Sequence, residues 1–112
     1  MDAVFIDDGM TREGYVAAAP RLHGAVTFTF RPALPEALFS FAKAFDDSGK
    51  AYTDRLCQLL EKHLVEWDAK RGEQAVPAKA ENLRRLHPTI LTKMREQILG
   101  YTAAEQESDE KN

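Results

Sequence analysis

Cysteine is almost missing from this chain: Cys57 is its only one. No internal disulfide can form, and a reducing, cytoplasmic setting is the expectation. Long hydrophobic runs are missing too. The longest apolar stretch is a few residues, too short to span a bilayer, so no membrane partner is expected. Met1-Asp2-Ala3 opens neither a basic n-region nor an apolar h-region, so no signal peptide is expected. Histidine is scarce. His23, His63 and His87 do not fall at ligand spacing, and there is no Cys-x-x-Cys, so no metal site and no cofactor is read from the sequence. Gly9, Gly14 and Gly24 form no phosphate-cradling loop. An excess of basic charge is also lacking. Glu105, Glu107, Asp109 and Glu110, set against Lys111, carry the whole net charge of −3. The residues before them hold 14 acidic and 14 basic side chains and are neutral. Such a body has nothing to steer it to DNA or RNA. Arg84, Arg85, Lys93 and Arg95 make a small basic face with no aromatics interleaved to stack bases.

What is present is one good strand pattern followed by helix. In Val26-Thr27-Phe28-Thr29-Phe30-Arg31-Pro32 the apolar residues alternate with polar ones, as a half-buried strand requires. Pro32 stops the ladder because it has no N–H to donate. A hairpin of 15–19 with 25–31 is expected, with 4–6 as a third strand closed by the turn signal Asp7-Asp8-Gly9. A lone hairpin is marginal in water, so its Val26, Phe28 and Phe30 face must lie on the helices.

The helical part begins at Pro35, a favourable first helical residue, with Glu36 complementing the helix dipole. Leu38, Phe41, Ala42 and Phe45 fall on one core-facing stripe, with Phe39 beside it. Asp46-Asp47-Ser48-Gly49 is either a turn or a solvated bend within a longer helix. A second helix is expected from about Lys50 to Asp68, with Tyr52, Leu56, Leu59, Leu60, His63, Leu64 and Trp67 on its apolar face. Gln74 to Ala78 reads as an extended linker. A short third helix spans about Ala80 to Leu86, and a fourth runs from Pro88 to Leu99, with Gly100 as its natural stop. At 112 residues this is one domain. The expected fold is α+β, mainly helical: an N-terminal β-hairpin packed on about four helices within residues 1–100. Residues 101–112 are expected to be a disordered acidic tail, because Thr102 to Asn112 has no large apolar residue.

No catalytic constellation emerges, so an enzyme is not expected. Cys57 sits between Leu56 and Leu59 in a helix and reads as a small core thiol rather than a nucleophile. Asp7 and Asp8 read as a turn. His63 reads as a boundary residue and His87 as a turn residue before Pro88. Trp67 is either a core anchor or an aromatic that anchors a partner. Arg31 either pins the hairpin to a helix C-terminus or carboxylate, or belongs to a binding surface. Function is therefore sought in surfaces, and the candidate partner-binding residues are Arg31, Phe39, Phe45, Tyr52 and Trp67.

Several of these features together resemble the small tail assembly chaperones of long-tailed bacteriophages. They are Gly24 followed by Val26 to Pro32, a helix ending in Trp67, the short link from Gly72 to Pro77, and Leu83-x-x-Leu86-His87-Pro88 leading to Ile98-Leu99-Gly100. The resemblance covers roughly residues 14–100. It implies a non-enzymatic protein that binds the long, aggregation-prone tape measure protein and keeps it soluble while the tail is assembled. Many such proteins are made in two forms by a translational frameshift, and this chain would match the short one. The family has no catalytic signature to carry over. A groove between helices, with Phe39, Phe41, Phe45, Tyr52 and Trp67 available to line it, would suit a helical client. The runner-up is a structural virion or connector component that forms homo-oligomers, and the next alternative is a small nucleic-acid-binding regulator.

Overall fold

The computed structural model describes residues 4–44 and 49–105. Phe45 and the Asp46–Ser48 segment lie outside the described residues. Five residues of the first strand, β1 (Arg12–Val16), pair antiparallel with β2 (Val26–Phe30), from Arg12 opposite Phe30 to Val16 opposite Val26. The hairpin thus forms around the expected β2, but its partner begins earlier than residue 15. Val26, Phe28 and Phe30 are buried on one face and Thr27 and Thr29 lie on the other, as the alternation requires.

Gly14 is opposite Phe28 in this ladder, and the Phe28 ring lies directly over it. A β-carbon there would run into the ring, so the missing side chain is what lets a phenylalanine fit on this sheet.

Two helices follow: α1 (Pro35–Ala44) and α2 (Gly49–His63). The expected continuation of α2 to Asp68 does not occur. His63 ends the helix, and Leu64–Trp67 forms a strand, β3, antiparallel to β2. This strand, and not residues 4–6, is the third of the sheet, whose order is β1-β2-β3. The cause is the open edge of β2. The Arg31 N–H donates to the His63 carbonyl at 2.8 Å and takes up a helix-end acceptor, and the ladder starts from there. A bulge at Val65 puts Leu64 opposite Phe30 and Trp67 opposite Phe28. Leu64 and Trp67 therefore share the inward face that plain alternation would have denied to one of them. Asp68 closes this end of the sheet: its N–H donates to the Thr27 carbonyl at 3.1 Å, and its carboxylate accepts the Thr27 N–H at 2.9 Å.

The expected linker contains a two-residue ladder, β4 (Lys70–Arg71) with β5 (Gln74–Ala75), turning through Gly72 at φ +60°. Then come α3 (Ala80–Leu83), shorter than expected, and α4 (Pro88–Leu99) with the expected bounds. Gly100, at φ +84°, ends α4. Its N–H bonds the Gln97 carbonyl and the Tyr101 N–H bonds that of Glu96, which satisfies two of the last orphan acceptors. The fold is α+β, with the three-stranded antiparallel sheet and four helices among the described residues.

Phe28, Phe41, Leu60, Leu83, Met94 and Ile98 are the large side chains most fully removed from water. They come from the three-stranded sheet and from all four helices, so one core joins these elements, while β4 and β5 are exposed. Each contributes roughly 1.5–3 kcal/mol by burial. Cys57 takes the core place expected of it; burial pushes its thiol up to about 11, with Arg84 pulling it down and Asp54 pushing it up. A thiol held protonated in this way is a poor nucleophile at neutral pH.

Past Gly100 the chain does not leave the body at Thr102. It follows β1 as far as Glu105, whose N–H donates to the Tyr15 carbonyl at 3.0 Å. Residues 106–112 lie outside the described residues.

Candidate partner-binding surface

Where β2 gives way to α1, the chain has to turn beneath the N-terminal segment, and a cleft of about 420 Å³ results. Its walls come from three places. Ile6 to Met10 form one side, Arg31, Pro32 and Leu34 with Glu36, Ala37 and Ser40 of α1 form the floor, and Lys62 and His63 at the end of α2 close it. Ile6, Met10, Pro32, Leu34 and Ala37 make it apolar inside. Asp7, Asp8 and Glu36 place negative charge in its walls, and Arg31 and Lys62 place positive charge. The His63 ring is fixed: its Nδ1–H donates to the Leu59 carbonyl at 3.0 Å, and the ring packs 5.6 Å from that of Phe41.

The surroundings of the cleft are unusually apolar for a water-facing surface. Val4 is 90% exposed and Phe5 76% exposed, immediately before Ile6 in the wall. Leu34 is itself partly exposed. Phe39, next to Ser40 on α1, is 77% exposed on the side away from the core. Single exposed apolar residues are ordinary. A run of them leading into an apolar cleft is the pattern of a contact surface.

The structure sorts the expected binding residues into two groups. Arg31 and Phe39 are exposed, Arg31 in the cleft and Phe39 on the helix that floors it. Tyr52 and Trp67 are half-buried and tie elements together. The Tyr52 hydroxyl accepts a hydrogen bond from Arg95 Nη1 at 3.0 Å, joining α2 to α4. The Trp67 indole N–H donates to the Val76 carbonyl and holds the segment after β5 against the sheet, while the Val76 N–H bonds the Ala69 carbonyl. Phe41 is core. Among the described residues, Phe39, Phe41, Tyr52 and Trp67 therefore do not combine into the groove between helices that the sequence suggested.

The sequence reading missed the cleft itself. Its walls combine residues 6–10, 31–40 and 62–63, and the signal that could have found it is Val4-Phe5-Ile6, an apolar run with no strand partner. Missed as well was Gln97, the one polar side chain buried among the described residues. Its carboxamide accepts the Tyr15 N–H at 3.1 Å and donates to the Tyr15 carbonyl at 2.9 Å, closing the outer edge of β1.

Among the described residues no group of three or more His, Cys, Asp or Glu side chains could hold a metal ion, and no helix is long and apolar enough to cross a membrane. Compared with known protein families, characterised proteins and solved structures, the chain matches none.

Proposed function

We propose that this protein is a non-catalytic binding factor, a tail assembly chaperone of the tailed-bacteriophage kind, which holds a long tape measure protein soluble in the host cytoplasm while the tail is built. The observation that supports this reading is the apolar cleft, with Ile6 and Leu34 in its lining and the exposed Val4 and Phe5 just before Ile6 in the chain. A helix-rich client exposes amphipathic stripes, and such a stripe buries its apolar side by lying in a groove of this type. Charge of both signs in the walls would fix the register of a mixed-charge helix, since polar rims set specificity more than affinity. The resemblance in sequence order, from Val26–Pro32 to Ile98-Leu99-Gly100, points the same way. One of its features is altered: Trp67 ends a strand here, not a helix.

The exposed Val4 and Phe5 also favour a second reading, a virion component that oligomerises through the same apolar rim. Co-expression with the long reading frame beside its gene separates the two. The chaperone reading expects that long protein to become soluble and to co-purify, and expects this chain to be absent from finished particles. Rings or larger assemblies of this chain alone, with the long protein still insoluble, would favour the structural component.

A further inference from the structure

A second recess lies at the far margin of the sheet, and the chain occupies part of it with its own residues. The outer edge of β1 presents Tyr15 N–H, Tyr15 C=O and Ala17 N–H away from β2. Gln97 takes the first and shares the second. Glu105 does the rest with one residue: its N–H donates to the Tyr15 carbonyl at 3.0 Å, one carboxylate oxygen accepts the Ala17 N–H at 2.7 Å, and the other pairs with Lys93 Nζ at 2.7 Å. An edge strand finished in this way has its outer backbone groups satisfied by one main-chain bond from the C-terminal segment and by the side chains of Gln97 and Glu105.

The seating is incomplete in one respect. Between the segment and the sheet remains a space of about 280 Å³, lined by Arg12, Glu13, Phe30 and Gln97 on the body side and by Gly100 to Ala104 on the other. Of the segment's side chains that line it, Tyr101 is large but 68% exposed, and Thr102, Ala103 and Ala104 are small. The backbone and carboxylate contacts are made, but the space beside them is not filled.

We propose that the β1 margin is a binding groove for an extended acidic segment of a partner protein, with large apolar side chains just before its acid, and that residues 101–105 hold it shut in cis. A partner glutamate supplies what Glu105 supplies, a main-chain N–H for Tyr15 and a carboxylate for Ala17 and Lys93. Larger side chains ahead of it fill the space that Ala103 and Ala104 leave, which gives the partner an advantage that the cis segment lacks. The groove is separate from the cleft at Arg31, and the proposal does not rest on the chaperone reading.

The test uses the full chain and a labelled seven-residue probe, Gly-Tyr-Thr-Leu-Leu-Glu-Gln, followed by fluorescence anisotropy. Glu105→Ala opens the groove, and its fold is checked by circular dichroism; Glu105→Gln is the fallback if that variant does not fold. The opened chain is expected to bind the probe at least ten-fold more tightly than the wild type. Replacing the probe's glutamate with glutamine, or adding Lys93→Ala to the opened chain, is expected to reverse that gain. Equal binding by wild-type and opened chains, no binding by either folded chain, or equal binding of the glutamate and glutamine probes would overturn the proposal. So would opened chains that associate with one another and ignore the probe.

Discussion

Two recesses flank one sheet, and they are finished in opposite ways. The cleft below Arg31 stands open, with Leu34 in its lining partly in water and Val4 and Phe5, next to Ile6 in the chain, exposed. The groove along β1 is occupied by the chain itself, through Gln97 and Glu105. Exposed apolar surface contributes little to the fold of the isolated chain, and where it gathers beside an apolar cleft it has the character of a contact surface. Satisfied backbone at an edge strand contributes directly to the fold and guards against unwanted pairing. Each recess therefore has its own signature: substitutions around the cleft should move client binding with little change in stability, and substitutions around β1 should move stability without loss of that client.

The strongest way to break that division is at the centre of the sheet. Phe28→Ala removes a ring that is 1% exposed and is expected to cost about 3–5 kcal/mol in urea unfolding. Gly14→Ala drives a methyl group into the same ring and is expected to cost about 1–3 kcal/mol. Because the two residues touch, the Gly14→Ala cost should shrink in a Phe28→Leu background, and a double-mutant cycle measures this. Additive costs would show that the ring does not rest on Gly14.

Gln97→Leu comes next. It strips the Tyr15 N–H of its acceptor and one donor from the Tyr15 carbonyl, for an expected loss of about 1–3 kcal/mol. Amide exchange at Tyr15 should accelerate with it. Trp67→Phe keeps the apolar ring and deletes the donor to Val76; about 1 kcal/mol is expected, with faster exchange confined to the 69–76 arm.

Acid gives a milder test of the closed margin. Burial raises the Glu105 carboxyl, but the Lys93 and Ala17 hydrogen bonds, with the charges of Lys93 and His23, outweigh it and hold the group below its ordinary value. A carboxylate depressed in the folded state stabilises it above the unfolded value, and that contribution is lost as pH falls through the depressed one. Protection of the Ala17 amide should therefore hold at neutral pH and fall away below the ordinary carboxylate range. The Lys93→Ala variant should lose that protection at a higher pH than the wild type.

The smallest expected change in stability is at the open recess. Phe39→Ser should stay within about 0.5 kcal/mol of wild type, because the ring is 77% exposed. If it lowers client capture without lowering stability, the contact surface extends from the cleft along α1.

Much of this architecture could be read from local signals. The Val26–Phe30 alternation, Pro35 at the start of α1, and Pro88 with Gly100 around α4 each act within a few residues, and the elements formed at those places. Leu64–Trp67 could not be read in the same way. Leu64 and Trp67 continue the helical stripe of Leu56 and Leu60, and only the free edge of β2, more than thirty residues away, converts them into a strand. The Glu105 clasp was invisible for a related reason. It is built from main-chain groups and one carboxylate, in a stretch without large apolar residues. Gly14 did carry a readable signal, since a lone glycine inside a strand marks close approach. Of the residues at the candidate surface, Arg31 and Phe39 were also singled out by the sequence. The cleft walls were not, because they come together only when the N-terminal segment, the β2–α1 link and the end of α2 meet.

The most direct test of the central claim is client solubility with the cleft rim altered. Phe5→Ser/Leu34→Ser is co-expressed with the long neighbouring reading frame, beside wild type and Gln97→Leu, and the soluble client is quantified. The account predicts that the rim variant folds as wild type but loses the client, while Gln97→Leu is less stable yet still captures it. A rim variant that keeps the client soluble as well as wild type does would contradict it.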